Sequence, residues 1–156
     1  MQNWLNSAES ISTELLQTYM DFHRHPELGN EEHRTTERIQ EILKSLGLKT
    51  YSVTDTGIIG YLECVPGADA VAFRADIDAL PVQEETGVPY ASEIPGRMHA
   101  CGHDLHTTAL LGAAWLLAGS EERADAQCCF YLPTGRGRGR GSATDSGYRY
   151  PGSTSG

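Results

Sequence analysis

Hydrophobic residues recur at helical spacing in three stretches of the chain. Residues 6–22 carry Ile11, Leu15 and Tyr19 at that spacing, ahead of Pro26. Residues 31–46 place their apolar side chains on one stripe, and Gly47 follows where many helices end in a left-handed residue. Residues 106–118 are apolar nearly all round, which is typical of a helix buried against a sheet. The pattern predicts three helices.

Short runs rich in β-branched and aromatic residues lie between the second and third predicted helices. They cover residues 49–53, 57–63 and 70–75, and Pro66 and Gly67 predict a turn between the last two. Because helices and strands alternate along the chain, the sequence predicts an α/β layer fold.

Formal charge is distributed very unevenly. Residues 1–126 contain 20 acidic and 8 basic side chains and carry a net −12, whereas residues 127–156 carry +3. A strongly acidic body repels nucleic acid and anionic membranes, so we expect a small molecule or another protein as partner. The sequence offers no apolar run of about 20 residues, and we expect a cytoplasmic location. The four cysteines are sparse and irregularly spaced, which favours free thiols or metal ligands over a disulfide framework.

Two acidic residues follow the third predicted strand. Residues 73–81 read Phe-Arg-Ala-Asp-Ile-Asp-Ala-Leu-Pro, which places Asp76 and Asp78 two residues apart where a strand ends. Sites in α/β folds form at such strand ends. Aspartates are also common in solvated turns and at helix N-termini, so the pair alone favours neither interpretation.

A denser cluster of metal-binding residue types follows at residues 98–106. The segment Met-His-Ala-Cys-Gly-His-Asp-Leu-His contains three histidines, one cysteine and one aspartate. Thiolate and imidazole both bind divalent metals such as zinc, and Cys101 and His103 are separated by a single glycine. Asp104 could orient a ligand. Outside this cluster, no Cys-x-x-Cys or His-x-x-x-His pair is present to complete a four-ligand site, so an open site completed by distant residues fits better than a structural zinc site.

Together these motifs resemble peptidase family M20. The resemblance rests on His-Arg-His-Pro-Glu-Leu-Gly at 23–29, Thr-Gly-Ile-Ile-Gly at 56–60, the strand-end segment 73–81 and the cluster 98–106, in the family's order. The most similar branch contains aminoacylases, hippurate hydrolases and carboxypeptidase-like amidohydrolases. The resemblance covers almost all of residues 1–126.

The resemblance implies the N-terminal part of a zinc-peptidase-like catalytic domain, with helices packed on a mixed sheet. It implies two divalent ions in the full-length enzyme (zinc, manganese, cobalt or nickel), an N-acyl amino acid substrate and a smaller domain often used to form homodimers. By this similarity Cys101 and His103 are metal ligands, Asp78 is the catalytic aspartate, and Asp76 occupies a position that binds metal in other branches. We interpret His23, His25 and Glu27 as a packing motif rather than catalytic residues, and His33 as a surface residue.

Family members continue with a Gln-Pro-Ala-Glu-Glu motif that supplies the general base, but residues 132–138 read Leu-Pro-Thr-Gly-Arg-Gly-Arg. One choice of codons for this segment, read one base later, encodes Cys-Gln-Pro-Ala-Glu-Glu. We therefore expect a frameshift near residues 128–132, in the gene or in its sequencing. On this hypothesis residues 1–132 are a partial catalytic domain, and the chain is an inactive fragment.

Residues 133–156 have the composition of a disordered tail. Thirteen of these 24 residues are Gly, Pro or Ser, and Val, Leu, Ile, Met and Phe are absent. An alternative is that the Arg-Gly repeat binds single-stranded RNA, although only four basic residues accompany a strongly acidic body. A second alternative is a metal-binding fragment without catalytic activity.

Overall fold

The computed structural model describes residues 2–120 and 125–135. Its first part contains two helices, α1 (Gln2–Ser10) and α2 (Ser12–Arg24), where the sequence predicts one helix over 6–22. The helical path breaks at Ile11, where φ is −103° and ψ is 3°. On either side, the Ser10 and Ser12 hydroxyls donate to the carbonyls of Ser7 and Glu9. Such local side-chain bonds compete with the helix ladder, and the apolar spacing could not reveal them.

Helix α3 (His33–Ser45) matches the second predicted helix, with Ile39, Ile42 and Leu43 buried. Its C-terminus forms a Schellman motif, because Gly47 N–H donates to Lys44 O and Leu48 N–H donates to Leu43 O. Gly47 has a φ of +80°, so the predicted left-handed glycine is confirmed.

Four strands form one mixed sheet in the order β1-β2-β4-β3. The strands are β1 (Lys49–Ser52), β2 (Ile58–Leu62), β3 (Ala70–Arg74) and β4 (Gln127–Leu132). Strand β4 pairs antiparallel with β2 and parallel with β3. The predicted α/β class and its three early strands are confirmed. Strand β3 lies at an edge, and all five of its residues are exposed.

Helix α4 (His103–Gly119) begins three residues earlier than the sequence predicts, so His103 and Asp104 lie in its first turn. Its residues Leu110, Leu111 and Ala114 share one hydrophobic core with α3 and with one face of β2 and β4. Among the described residues, none of the helices has both the length and the apolar character needed to cross a membrane.

Residues 133–135, which composition assigns to the tail, are described and continue directly from β4. Pro133 and Gly135 are buried, and Thr134 is half-buried. The rest of the predicted tail, residues 136–156, lies outside the described residues.

Candidate metal centre

A short β-bridge brings the two predicted chemical motifs together. Leu80 and Met98 exchange both backbone hydrogen bonds, at 2.9 and 3.0 Å. This bridge fixes the strand-end segment against the loop that leads into α4. As a result, His103 Nδ1 lies 2.9 Å from the Asp78 side-chain Oδ1 and 2.9 Å from the Asp78 carbonyl oxygen. Two residues that are 25 positions apart therefore form a direct contact.

The Asp78 contact leaves the other ring nitrogen of His103 available. With Nδ1–H donating to Asp78, the lone pair is on Nε2, which has no hydrogen-bond partner among the residues that the structure describes. The His103 side chain is 23% exposed, and Asp78 is 15% exposed. A metal-binding histidine usually donates its second N–H to a carboxylate or a carbonyl, which fixes its tautomer and ring orientation. His103 has this arrangement with both kinds of acceptor.

Asp76 is placed differently from Asp78. Its carboxylate forms an ion pair with Arg74 at 2.9 Å, and both side chains are about one-third exposed or more. Its carbonyl oxygen accepts a hydrogen bond from the Thr107 hydroxyl of α4 at 3.2 Å. The backbone of Asp76 therefore anchors the strand-end segment to α4, while its carboxylate lies near the surface.

The donor set of the described residues fits a divalent ion only in part. Cys101 is an exposed free thiol one residue before Gly102, whose φ of +79° starts α4. Together with His103 it offers one sulfur and one nitrogen donor, a combination that suits zinc and its neighbours. Within residues 2–120 and 125–135, no group of three or more His, Cys, Asp or Glu side chains has metal-binding geometry. Further donors are needed for a closed site.

The His99 ring is buried beside this centre. It is 5% exposed, and neither ring nitrogen has a partner among the described residues. Burial lowers its pKa to about 4, an effect that the negative charge of Asp104 only partly offsets. The ring is therefore neutral at pH 7. The sequence grouped His99 with Cys101 and His103, but the structure does not bring these three side chains into one donor set.

His23 forms a second and more deeply buried histidine–carboxylate cluster. Its Nδ1 lies 2.6 Å from Asp104 Oδ2, and its Nε2 lies 3.2 Å from Glu84 Oε1. Tyr19 and Tyr90 pack against its ring. Burial lowers the pKa of His23, but the hydrogen bonds to Asp104 and Glu84 outweigh this effect and raise it above 6.5. The sequence predicts a packing role for His23, but the structure places its ring between two carboxylates, where it forms buried ion pairs.

The Glu27 side chain caps the N-terminus of α3 from the preceding segment. Its two carboxylate oxygens accept hydrogen bonds from the backbone N–H groups of Arg34 and Thr35, at 3.1 and 2.7 Å. A carboxylate at this end of a helix also interacts favourably with the helix dipole. The Glu27 carbonyl accepts from Ala79 N–H at 2.7 Å, so the same residue fixes the strand-end segment. His33 is exposed, as predicted.

Glu32 was not singled out from the sequence, yet it is fully buried near the same centre. Its carboxylate accepts hydrogen bonds from the hydroxyls of Thr56 and Thr134 and from Gly135 N–H. Gly135 in turn packs so closely on Asp78 that a Cβ at this position would overlap the Asp78 carboxyl group. A glutamate just before an amphipathic helix normally indicates a solvated first turn, so the sequence carried no signal for this contact.

A family model supports the interpretation of this region. The description "Peptidase family M20/M25/M40" matches residues 72–129, which include both acidic residues and the candidate ligands Cys101 and His103. This region belongs to peptidase family M20. The resemblance stated from the motifs is therefore confirmed.

Two curated relatives extend the match to most of the chain. The N-acetyl-L-cysteine deacetylase of Bacillus subtilis is 44% identical over 117 residues, which are 74% of this chain and 28% of that protein. A second B. subtilis protein, an N-acetylcysteine deacetylase, is 40% identical over 119 residues, covering 75% of this chain and 31% of that protein.

A solved structure agrees with the fold. The B. subtilis YxeP protein, described as a dinuclear metal binding peptidase from the M20 family, superposes with a TM-score of 0.74 at 38% identity. The match covers 80% of this chain and 36% of that protein. The chain thus spans about one-third of the length of these three proteins.

Proposed function

We propose that this chain belongs to a metal-dependent amidohydrolase that cleaves the amide bond of an N-acyl amino acid or a similar small substrate. The observation that carries the proposal is the Asp78–His103 contact of 2.9 Å next to the exposed thiol of Cys101. The deacetylase relatives support an N-acylated amino acid as substrate, and the dinuclear YxeP protein supports divalent metal ions.

Cys101 and His103 would hold one divalent ion, with zinc, manganese, cobalt or nickel as candidates. A bound divalent ion lowers the pKa of a coordinated water toward about 7 and polarises the carbonyl oxygen of an amide. His103 contributes through Nε2, and Cys101 contributes as the thiolate. The family resemblance implies a second ion in a full-length enzyme.

Asp78 orients His103 within this site. Its carboxylate accepts a hydrogen bond from Nδ1–H and holds the tautomer that leaves Nε2 unprotonated. The Asp78 carbonyl accepts from the same nitrogen and fixes the ring plane. We propose Asp78 as the catalytic aspartate of the chain, acting through the ring of His103. We propose Asp76, paired with Arg74 at the surface, as a second catalytic aspartate.

The 156-residue chain itself is proposed to bind metal weakly and not to hydrolyse amides. The described residues supply two donors, whereas catalytic zinc sites use three protein ligands. Amide hydrolysis also needs a carboxylate that takes a proton from water and delivers it to the leaving amine. We propose that this base lies in a reading frame lost near residues 128–132 and that a full-length form is a homodimer. The separate tail, which the sequence predicts over residues 133–156, is proposed to begin after the buried Gly135.

Cobalt binding tests the proposed ligands directly. Titration of the chain with Co²⁺ should give a thiolate charge-transfer band in the near ultraviolet. Cys101→Ser should abolish this band, and His103→Ala should weaken binding at least tenfold. Cys129→Ala is the matched control, since Cys129 is a buried thiol away from the centre. A band that persists in Cys101→Ser, or disappears in Cys129→Ala, contradicts the assignment.

Sequencing of the coding DNA across codons 125–160 tests the frame. A one-base correction that restores Gln-Pro-Ala-Glu-Glu and a long open frame supports the proposed lineage. The corrected protein should then release free amine from N-acetyl amino acids in a metal-dependent manner. An uninterrupted frame that encodes the present tail rules out the frameshift. A corrected protein without hydrolytic activity rules out the amidohydrolase.

A further inference from the structure

Two cysteine thiols meet at the end of the sheet opposite to the candidate metal centre. Cys128 is the second residue of β4 and is the direct partner of Leu62, the last residue of β2. Cys64 follows Leu62 by two positions. The Cys64 N–H donates to the side chain of Gln127 at 2.8 Å, and Gln127 donates in turn to the carbonyl of Val65. Gln127 therefore holds the Cys64 segment against the start of β4.

The side chains of Cys64 and Cys128 lie on the same side of the sheet. Cys128 belongs to the hydrophobic core, and Cys64 packs against that core. Both thiols are free, and the strand register places Cys64, two residues after the direct partner of Cys128, beside Cys128. Successive side chains alternate between the two faces of a sheet, so Cys129 points to the opposite face. The contact is therefore specific to one of the two adjacent cysteines of β4.

The two thiols differ in their access to solvent. Cys64 is half-buried, whereas Cys128 is 4% exposed. Burial raises the pKa of the Cys128 thiol, and the neighbouring Cys64 raises it further. The thiolate is the reactive form of cysteine, and the raised pKa disfavours it at Cys128. An oxidant from solvent also reaches the half-buried Cys64 more easily than Cys128. This asymmetry gives one cysteine the role of first reactant and the other the role of resolving thiol.

We propose that Cys64 and Cys128 form a redox-active dithiol that hydroperoxides convert into a disulfide. The reaction takes place at a site distinct from the metal centre and does not depend on hydrolytic activity. Strand β4 starts beside this dithiol, and the residues after its other end, Thr134 and Gly135, contact Glu32 near Asp78. Because the dithiol and the metal centre lie at opposite ends of β4, the cross-link joins β4 to the segment after β2 and leaves Cys101 and His103 unchanged.

The chemistry balances in two steps. The Cys64 thiolate attacks the peroxide, an S–O bond forms, the O–O bond breaks, and the leaving oxygen takes a proton to become water. The Cys128 sulfur then attacks the sulfenic acid of Cys64, an S–S bond forms, and the hydroxyl group departs as a second water with the Cys128 proton. Two thiols and one hydrogen peroxide give one disulfide and two waters. A thiol reductant reverses the change by exchange.

Peptide mapping of the 156-residue chain tests the proposal. The protein is treated with hydrogen peroxide, its remaining thiols are alkylated, and it is digested with trypsin without reduction. The cleavage sites at Arg74, Arg97 and Arg123 separate the two cysteines. The expected product links the peptide that contains Cys64 to the peptide that contains Cys128, and dithiothreitol releases both. A cross-link that involves mainly Cys101 or Cys129 overturns the proposal.

Matched variants sharpen the test. Cys64→Ser should abolish the cross-link, whereas Cys129→Ala and Cys101→Ser should retain it. Oxidation of Cys64 to the sulfinic acid in the folded wild-type chain, without a link to Cys128, also overturns the proposal. A second measurement needs no variant. Because a cross-link restricts the unfolded chain, the oxidised protein should unfold at a higher temperature than the reduced one, and reduction should remove the difference.

Discussion

The histidine–carboxylate contacts of His23 and His103 are built alike but are suited to different tasks. His23 has carboxylates at both ring nitrogens, Asp104 at 2.6 Å and Glu84 at 3.2 Å, and its side chain is 9% exposed. His103 uses one nitrogen for Asp78 and is 23% exposed. An imidazole between two carboxylates is held as a cation, because both nitrogens must donate. An imidazole with one carboxylate has its other nitrogen available for a ligand.

The comparison teaches that the number of occupied ring nitrogens separates a structural histidine from a candidate ligand. Both histidines lie in conspicuous motifs, His-Arg-His-Pro-Glu in one case and Cys-Gly-His-Asp in the other. The two clusters also meet at α4, because Asp104 of the first cluster directly follows His103 of the second. Since, of these two histidines, only His103 has a ring nitrogen available for a ligand, variants at His23 should affect folding, and variants at the Asp78–His103 contact should affect metal binding.

Removal of His23 should have the largest effect on stability. His23→Ala leaves the Asp104 and Glu84 carboxylates, each 2% exposed, without their shared cation. Breaking a buried ion pair in this way costs about 3 kcal/mol or more. Urea unfolding monitored by circular dichroism measures the loss, and the exposed His33→Ala is the control, expected within about 0.5 kcal/mol of wild type. Equal stability of the two variants would remove the structural role of His23.

Replacement of Asp78 should affect metal binding rather than folding. Asp78→Asn removes the negative charge of the side-chain acceptor that orients His103, and loss of such a charged partner weakens metal affinity about 10- to 100-fold. Cobalt titration measures the affinity, and urea unfolding should change by less than about 1 kcal/mol because the side chain is partly exposed. Asp55→Asn, an exposed acid outside the centre, is the control. Unchanged cobalt affinity in Asp78→Asn contradicts the orienting role.

The His23 cluster should also make stability depend on pH. The groups that face His23 are Asp104, Glu84, Tyr19, Tyr90 and His99. Since the folded pKa of His23 is raised above 6.5, its contribution to stability is complete below pH 6.5 and is lost as the pH rises through the folded pKa. Unfolding free energies measured across this range should fall more steeply in wild type than in His23→Gln. A parallel pH dependence in the two proteins would exclude a protonated His23.

The smallest effect is expected at the surface pair of Asp76 and Arg74. Both side chains are at least one-third exposed, and such pairs contribute about 0.5 kcal/mol or less. Asp76→Asn should therefore change the urea midpoint only slightly. Its cobalt affinity should also change less than that of Asp78→Asn, and a larger change would place the Asp76 carboxylate in the metal site. High salt should reduce the small stability difference.

The sequence predicted much of the architecture because local patterns control it. The stripe at Ile39, Ile42 and Leu43 predicted α3, and Gly47 predicted its left-handed end. The β-rich runs gave three of the four strands. The break at Ile11 escaped prediction, since it depends on hydroxyl bonds from Ser10 and Ser12 rather than on apolar spacing. The motif order also identified the M20 family and the candidate residues Asp76, Asp78, Cys101 and His103.

The tertiary structure alone decided which of these residues meet. The Leu80–Met98 bridge brings Asp78 to His103. The Asp76 carboxylate instead pairs with Arg74. His99 is buried and does not share a metal-binding group with Cys101 and His103. The same applies to Glu32, whose carboxylate is fully buried because Thr56, Thr134 and Gly135 reach it from distant parts of the chain. A sequence pattern reports residue types and local periodicity. Contacts between residues far apart in the chain depend on sheet register and loop pairing, which no local pattern contains.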